Sequence, residues 1–254
     1  MSITSVSELA GMRKVSEAVA VTLKKMREYA KPGISTKALD EYGAEILKQF
    51  EANSAPKLTY NFPASTCICT NMEIAHGLPS EKKILSEGDL INIDVSAELD
   101  GFWADNGGSF VLGNDIFKHQ KLVDASRNIL FKAIQNIRGG VKIADIGRLI
   151  ENEAKSRGYK VIRNLVGHGV GKSLHEEPTE IPCFYDKENT SRFRKGSLIA
   201  VETFISTGAS KAVESSDGWT LVSDGKTFVA QHEHTLMVTE SKPIILTEMN
   251  GIWD

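Results

Sequence analysis

The chain has 254 residues, of which 41% are hydrophobic and 25% charged, with a net charge of −3. These values are ordinary for a soluble globular protein with a substantial core. The charge gives no basic surface for nucleic acid and no reason to expect binding to an anionic membrane. We find no signal peptide and no apolar run of membrane-spanning length. The three cysteines are an odd number, and we expect a reducing cytoplasm.

The first part of the sequence predicts two helices and then strands. Apolar residues recur at helical spacing over residues 8–31, and Pro32-Gly33 ends this first helix. A second helix is predicted over residues 35–50, with Ser35 or Thr36 as its N-cap. A strand is expected within residues 64–75, followed by a loop around His76.

Residues 88–105, GDLINIDVSAELDGFWAD, have the pattern of a β-hairpin with an Asp-Gly turn at Asp100-Gly101. Alternation along the first strand places Asp94 on the face opposite to Ile91, Ile93 and Val95. Asp105 lies in the second strand, so the hairpin brings two acids close together. Close carboxylates repel each other unless a cation or a shared proton compensates.

The order of elements begins again at His119. Helices are predicted from there to Gly139-Gly140 and over residues 143–157. The phrase KPGISTKALDEYGAEI resembles RGGVKIADIGRLIENE, and GDLINID resembles GSLIAVE, at offsets of 107 and 108 residues. A period this long indicates a duplicated half-domain, although chance similarity is the alternative. We therefore expect a single domain, residues 1–254, built of two related halves (about 8–113 and 116–240) around a pseudo-two-fold axis.

The last predicted strand, residues 227–239, carries Glu233 between His232 and His234. If Leu236 lies on the apolar face, both histidines lie on that face and Glu233 lies on the other. The two halves then bring four carboxylates together, which cannot all stay ionised in a core without cations. These acids are Asp94, Asp105, Glu202 and Glu233.

Histidines are candidate partners for such a centre. An oxygen-rich set suits magnesium, manganese or calcium, and one imidazole shifts the preference towards manganese, iron, cobalt or zinc. The sequence favours His168, because Gly167 and Gly169 let its ring approach a crowded site. For His175 and His76, a role in the site and ordinary packing are both open. His119 is expected on a helix surface.

Together these motifs resemble the type I methionine aminopeptidases, a pita-bread metallopeptidase family, over nearly the whole chain. The matching segments are AHGLP, INIDV, DGFWAD, VGHGVG, LHEEP, VETFI and AQHEHT. The resemblance implies an α/β (α+β) pita-bread fold, with duplicated halves and a central, curved, largely antiparallel sheet covered by helices. It also implies a two-metal centre in which a bridging hydroxide attacks the scissile carbonyl.

The resemblance assigns a role to each site residue. Two divalent ions (cobalt, manganese, iron or zinc) would be held by Asp94, Asp105, His168, Glu202 and Glu233, with Asp105 and Glu233 bridging the pair. Glu202 would also be the general base, His175 would stabilise the oxyanion, and His76 would contact the scissile amide. The methionine side chain would enter an apolar cup, for which ordinary core packing is the alternative; the cup residues are Phe62, Cys67, Leu174 and Trp219, with Tyr60 nearby.

The implied activity is removal of the N-terminal methionine from nascent proteins and peptides whose second residue is small. We expect the protein to be a monomer and to contact the ribosome only transiently. An Xaa-Pro peptidase of the prolidase or aminopeptidase P type is the nearest alternative, although these usually carry a further N-terminal domain. A non-catalytic pita-bread binding protein is a second alternative. The chain departs from the family pattern at Asn106-Gly107, Leu174 and Thr203-Phe204.

Overall fold

The computed structural model describes residues 1–223, 225 and 227–253. Its helices are α1 (Val6–Tyr29), α2 (Thr36–Gln49), α3 (Ala55–Tyr60), α4 (Gln120–Asn136) and α5 (Ile143–Ser156), and a short 3₁₀ turn spans Glu248–Asn250. Its strands are β1 (Asn53–Ser54), β2 (Cys67–Thr70), β3 (Glu73–Ala75), β4 (Leu90–Leu99), β5 (Phe102–Val111), β6 (Lys160–Val161), β7 (Val166–Gly169), β8 (Glu176–Pro182), β9 (Leu198–Ser206), β10 (Ala212–Glu214), β11 (Leu221–Ser223), β12 (Val229–Met237) and β13 (Ile244–Ile245).

A large antiparallel sheet connects both halves of the chain. Its strand order is β1-β4-β5-β12-β9-β7-β8, while β2, β6 and β13 pair with β4, β9 and β12. The halves meet where β5 pairs with β12. Helix α1 packs on β4 and β5, and α4 packs on β9 and β12. The sheet is thus covered on one face, as expected for this fold class. A smaller sheet contains β10, β11 and β3.

The predicted helices and hairpin are present. Ser5 caps α1 by accepting a hydrogen bond from the backbone N–H of Glu8, and Ser35 caps α2 in the same way. The turn between β4 and β5 has positive φ at both Asp100 and Gly101, which favours this Asp-Gly sequence. The strand expected within residues 64–75 is divided into β2 and β3, because Asn71 adopts a left-handed conformation between them.

Equivalent turns repeat in the two halves. The N–H of Gly33 donates to the carbonyl of Leu85 at 2.8 Å, and the N–H of Gly140 donates to that of Phe193 at 2.9 Å. A second pair of turns precedes β4 and β9. All four glycines that mark the sequence repeat have positive φ, a conformation that L side chains rarely adopt, namely Gly33, Gly88, Gly140 and Gly196.

One sequence expectation is wrong. His119 lies just before α4 and is only 7% exposed, so it does not lie on a helix surface. Its ring packs 4.3 Å from that of Phe228, and its backbone N–H donates to Asp115. The cause is the distant segment of Phe228, which local periodicity does not reveal. No helix in the described ranges is long and apolar enough to cross a membrane.

Candidate metal centre

Strand register brings the four predicted acids to one region of the sheet. Glu202 on β9 and Glu233 on β12 are direct cross-strand partners. Gly107 on β5 lies opposite Asp94 on one side and Glu233 on the other. Asp105 lies two residues before Gly107, on the same face of β5. Alternation along three strands therefore points these acids towards one another.

His168 joins this cluster from β7. Ligand atoms of Asp105, His168 and Glu233 all lie within 4.8 Å of one another, and His168 Nε2 is 3.8 Å from Asp105 Oδ2. His168 Nδ1 is 2.9 Å from the carbonyl oxygen of Gly169. A carbonyl only accepts, so the proton is on Nδ1 and the lone pair of Nε2 faces the acids. This tautomer suits a metal ligand.

The carboxylates of this cluster hold their protons unusually strongly. Burial, reinforced by the charge of Asp105, raises the pKa of both Asp94 and Glu233. Burial also raises the pKa of Asp105 to about 6 and that of Glu202 to about 8. The pKa of His168 is lowered to about 4, chiefly by burial. Such a site favours a cation that replaces the protons.

The donor set fits a divalent metal ion. Asp105 Oδ1 is buried without a hydrogen-bond partner among the described residues. Glu202 and Glu233 accept hydrogen bonds from a neutral amide, which offsets no charge. Carboxylate oxygens together with one imidazole are ligands that first-row metals accept. The residues present therefore fit the metal that the sequence implies.

A cavity of about 380 Å³ opens on this cluster. It is lined by all eleven residues to which the sequence analysis gave a role, and by Tyr60. The further lining residues, for which no role was expected, are Pro56, Ala75, Ser96, Asn164, Leu165, Val166 and Phe204.

Two histidines line the cavity beside the acids. The rings of His168 and His175 lie 4.0 Å apart, and His175 Nδ1 is 2.6 Å from Tyr60 Oη. His76 has a positive φ of 52° in the loop after β3. Partial desolvation in the cavity lowers the pKa of both His76 and His175, which favours the neutral form of each ring.

The apolar side of the cavity has a cup shape. The rings of Phe62 and Trp219 meet edge to face at 5.1 Å, and Leu78 packs against the same cluster. Cys67 is the cross-strand partner of Asp94, which places this thiol between the cup and the acids. An apolar group held here would lie next to the cluster of acids.

Gln231 is a site residue that the sequence analysis missed. Its side-chain amide donates to Glu202 and Glu233. A signal was available, because Gln231 precedes Glu233 by two residues in one strand and so shares its face. The contact between Tyr60 and His175 could not be found this way, since 115 residues separate them.

The comparisons with known proteins agree with this geometry. The model of metallopeptidase family M24 matches residues 10–240. Methionine aminopeptidase 2 of Bacillus subtilis is 46% identical over 98% of this chain and 100% of its own length. The crystal structure of a methionine aminopeptidase from Thermotoga maritima has a TM-score of 0.92 and 35% identity, covering 97% of this chain and 99% of that one.

A prolidase from Pyrococcus furiosus has the same fold at greater distance. Its TM-score is 0.76 at 19% identity, and the match covers 97% of this chain but 65% of the prolidase. At this identity the likeness concerns the fold alone.

Proposed function

This chain belongs to metallopeptidase family M24, and we propose that it is a metal-dependent aminopeptidase that removes an N-terminal methionine when the second residue is small. The observation that carries the proposal is the position of the apolar cup and the acid cluster in one cavity. A side chain held in the cup brings the peptide bond that follows it to the acids.

Five residues would hold two divalent ions, of cobalt, manganese, iron or zinc. Asp105 and Glu233 would be ligands of both ions. Asp94 would complete the ligand set of one ion, and His168 and Glu202 would complete the ligand set of the other. When bound, the ions supply Lewis-acid activation of a water molecule and of the scissile carbonyl. The buried, mutually repelling carboxylates support this proposal, because cations remove their repulsion.

Glu202 would accept the proton of the attacking water and deliver it to the leaving amine. Glu202 is half-buried on the cavity wall, and desolvation raises the pKa of its carboxyl to about 8 in the metal-free state. A general base works best when its proton affinity is near the working pH.

The two cavity histidines would bind the reacting amide. Tyr60 Oη lies 2.6 Å from His175 Nδ1. In the tautomer in which Tyr60 donates to Nδ1, the imidazole proton is on Nε2, which would donate to the carbonyl oxygen as negative charge develops. His76, which lines the same cavity, would contact the scissile amide.

The cup would select methionine. Phe62, Cys67, Leu174 and Trp219 offer a mostly apolar lining that suits an unbranched, polarizable thioether. The rings of Tyr60, His168 and His175 lie close together on the cavity wall, and we propose that they restrict the size of the second side chain. We therefore expect small second residues.

We further propose that the chain works as a single catalytic domain. Asp94 and Asp105 come from the first half, and His168, Glu202 and Glu233 from the second, so neither half has the ligand set by itself. Nascent chains as substrates favour a cytoplasmic monomer with at most transient ribosome contact.

The test is methionine release by metal-free protein reloaded with Co²⁺ or Mn²⁺. We expect fast release from Met-Gly-X, slow release from Met-Lys-X, and almost none from any peptide by Glu202→Gln. Faster hydrolysis of Gly-Pro-X would favour an Xaa-Pro peptidase instead. Metal binding without hydrolysis of any peptide, with Glu202→Gln behaving as the parent, would favour a non-catalytic binding protein.

A further inference from the structure

Gln231 provides a hydrogen-bonded bridge between two acids of the cluster. Its Nε2 lies 3.3 Å from Glu202 Oε2 and 3.1 Å from Glu233 Oε2. A side-chain amide has two N–H donors, so it can give one to each carboxylate. Like charges directly opposite each other on neighbouring strands destabilise a sheet. The shared amide sits between just such a pair.

A second amide fixes the direction in which Gln231 points. Asn92 Nδ2 donates to Gln231 Oε1 at 2.8 Å, and it is also 3.2 Å from Ser109 Oγ. The hydroxyl of Ser109 in turn accepts from the backbone N–H of Gln231 at 2.9 Å. All three residues are buried. With its oxygen held by Asn92, the Gln231 amide can present only its nitrogen to the acids.

Gly107 makes the space in which this amide lies. A Cβ at this position would lie 2.5 Å from Gln231 Oε1 and 2.7 Å from Nε2, closer than real Cβ contacts. The φ of Gly107 is not in the left-handed region, so glycine is needed here for space and not for backbone conformation. Any side chain at 107 would have to displace the amide of Gln231.

We propose that Gln231, lying on Gly107 and oriented by Asn92, is a positioning residue that holds the carboxyl groups of Glu202 and Glu233 in the orientation in which they bind metal. The inference rests on the proposed metal centre and adds to it a residue outside the ligand set. Each hydrogen bond from Nε2 fixes the position of one carboxylate oxygen, and hydrogen-bond partners of this kind orient metal ligands. Hydrogen-bond partners of metal ligands commonly contribute about 10- to 100-fold in metal affinity.

The test is calorimetric titration of the metal-free protein with Mn²⁺. Gln231→Ala removes the donor, and Gly107→Ala displaces it; we expect each to weaken Mn²⁺ binding by about 10- to 100-fold. The double variant should be no weaker than the worse single variant, because both changes act through one amide. Gly108→Ala is the matched control, since its Cβ would crowd Ile252 on the other face of β5, and its affinity should stay within about 3-fold of the parent.

A spectroscopic readout separates positioning from a general loss of stability. The visible absorption of bound Co²⁺ should change in Gln231→Ala and Gly107→Ala and stay unchanged in Gly108→Ala. Parent-like Mn²⁺ affinity in both of the first two variants, or additive losses in the double variant, would overturn the inference. A parent chain that binds Mn²⁺ with this dependence on Gln231 yet releases no methionine would contradict the proposed function and leave the inference standing.

Discussion

Both faces of β12 contain buried polar residues, but the partners of these residues differ between the two faces. On the cavity face, Glu233 meets other acids and His168. On the covered face, His232 lies between Ser126 Oγ at 2.9 Å and the carbonyl oxygen of Ser109 at 3.1 Å. Next along the same face, Nδ1 of His234 is 2.8 Å from the hydroxyl of Thr247.

Burial is nearly complete on both faces, so burial does not distinguish them. The pKa of His232 is lowered to about 3 by burial, with help from two arginines, and its ring is a neutral hydrogen-bonding group at pH 7. Glu233 accepts a hydrogen bond from the neutral amide of Gln231, but burial raises its pKa, and the charges that raise it further are those of the neighbouring acids. The partners of a buried group, more than its burial, therefore distinguish a proposed metal ligand from a structural residue.

The largest expected effect comes from the cavity face. Asp105→Asn replaces a shared ligand by a neutral amide, and we expect methionine release to fall by well over 100-fold, because even the partners of ligands contribute about 10- to 100-fold in metal affinity. Asp89→Asn is the matched control, since Asp89 is a buried acid whose partners are the neutral groups of Asn71 and Ser86. Equal losses of methionine release in Asp105→Asn and Asp89→Asn would show that Asp105 behaves like a structural buried acid.

On the covered face the expected effect is on stability. His232→Ala leaves a cavity and takes a partner from Ser126, so the free energy of unfolding should drop by about 2–4 kcal/mol. Urea unfolding of the metal-free protein measures this. Mn²⁺ affinity of the folded variant should stay within a few-fold of the parent. A loss of metal binding larger than the loss of stability would place His232 with the metal ligands.

The apolar cup should show a smaller, substrate-specific effect. Trp219→Ala removes the ring that meets Phe62 edge to face. We expect the KM for Met-Gly-X to rise about 10-fold with kcat little changed. The reason is that burial of the substrate's methionine side chain contributes on the order of 1.5–3 kcal/mol to binding. Steady-state kinetics check this. A fall in kcat at constant KM would show that Trp219 acts on the reaction step instead.

The smallest effect is a pH dependence of the metal-free protein. The pKa of Glu202 is about 8 in the folded state against 4.5 for the ordinary side chain. The proton held by the folded state stabilises it fully below about pH 4.5, and this contribution is lost as the pH rises through about 8. Glu202→Gln cannot titrate.

The melting temperature of the parent should therefore fall relative to that of Glu202→Gln between pH 5 and pH 8. We expect only a few degrees, because Glu202 is half-buried and solvent screening reduces the effect of its pKa shift. Differential scanning calorimetry of both metal-free proteins checks the difference. A gap that stays constant over this range would show that Glu202 is not held protonated in the fold.

Much of this contrast was open to prediction from sequence. Period-two alternation from Leu236 correctly placed Glu233 on the face opposite to His232 and His234. The repeat linked Asp94 with Glu202, and the structure places both on the wall of one cavity. Such local periodicity is available to any reader of the chain, because strands alternate strictly.

The partners of these residues were not open to prediction in the same way. The hydrogen bond from Asn92 to Gln231 joins residues 139 positions apart, and Asn250 reaches Asn106 over 144 positions. Contacts of this range depend on the order of strands in the sheet and on the path of the C-terminal segment. Neither leaves a local pattern, which is also why the burial of His119 was missed.

The most direct measurement of the central contrast is the metal content of two variants of neighbouring residues on β12. Metal-free parent, Glu233→Gln and His232→Gln are reloaded with excess Mn²⁺, freed of unbound metal, and analysed for manganese per chain. We predict that the parent and His232→Gln retain the manganese and that Glu233→Gln loses most of it. Retention by Glu233→Gln, with loss by His232→Gln, would contradict this prediction.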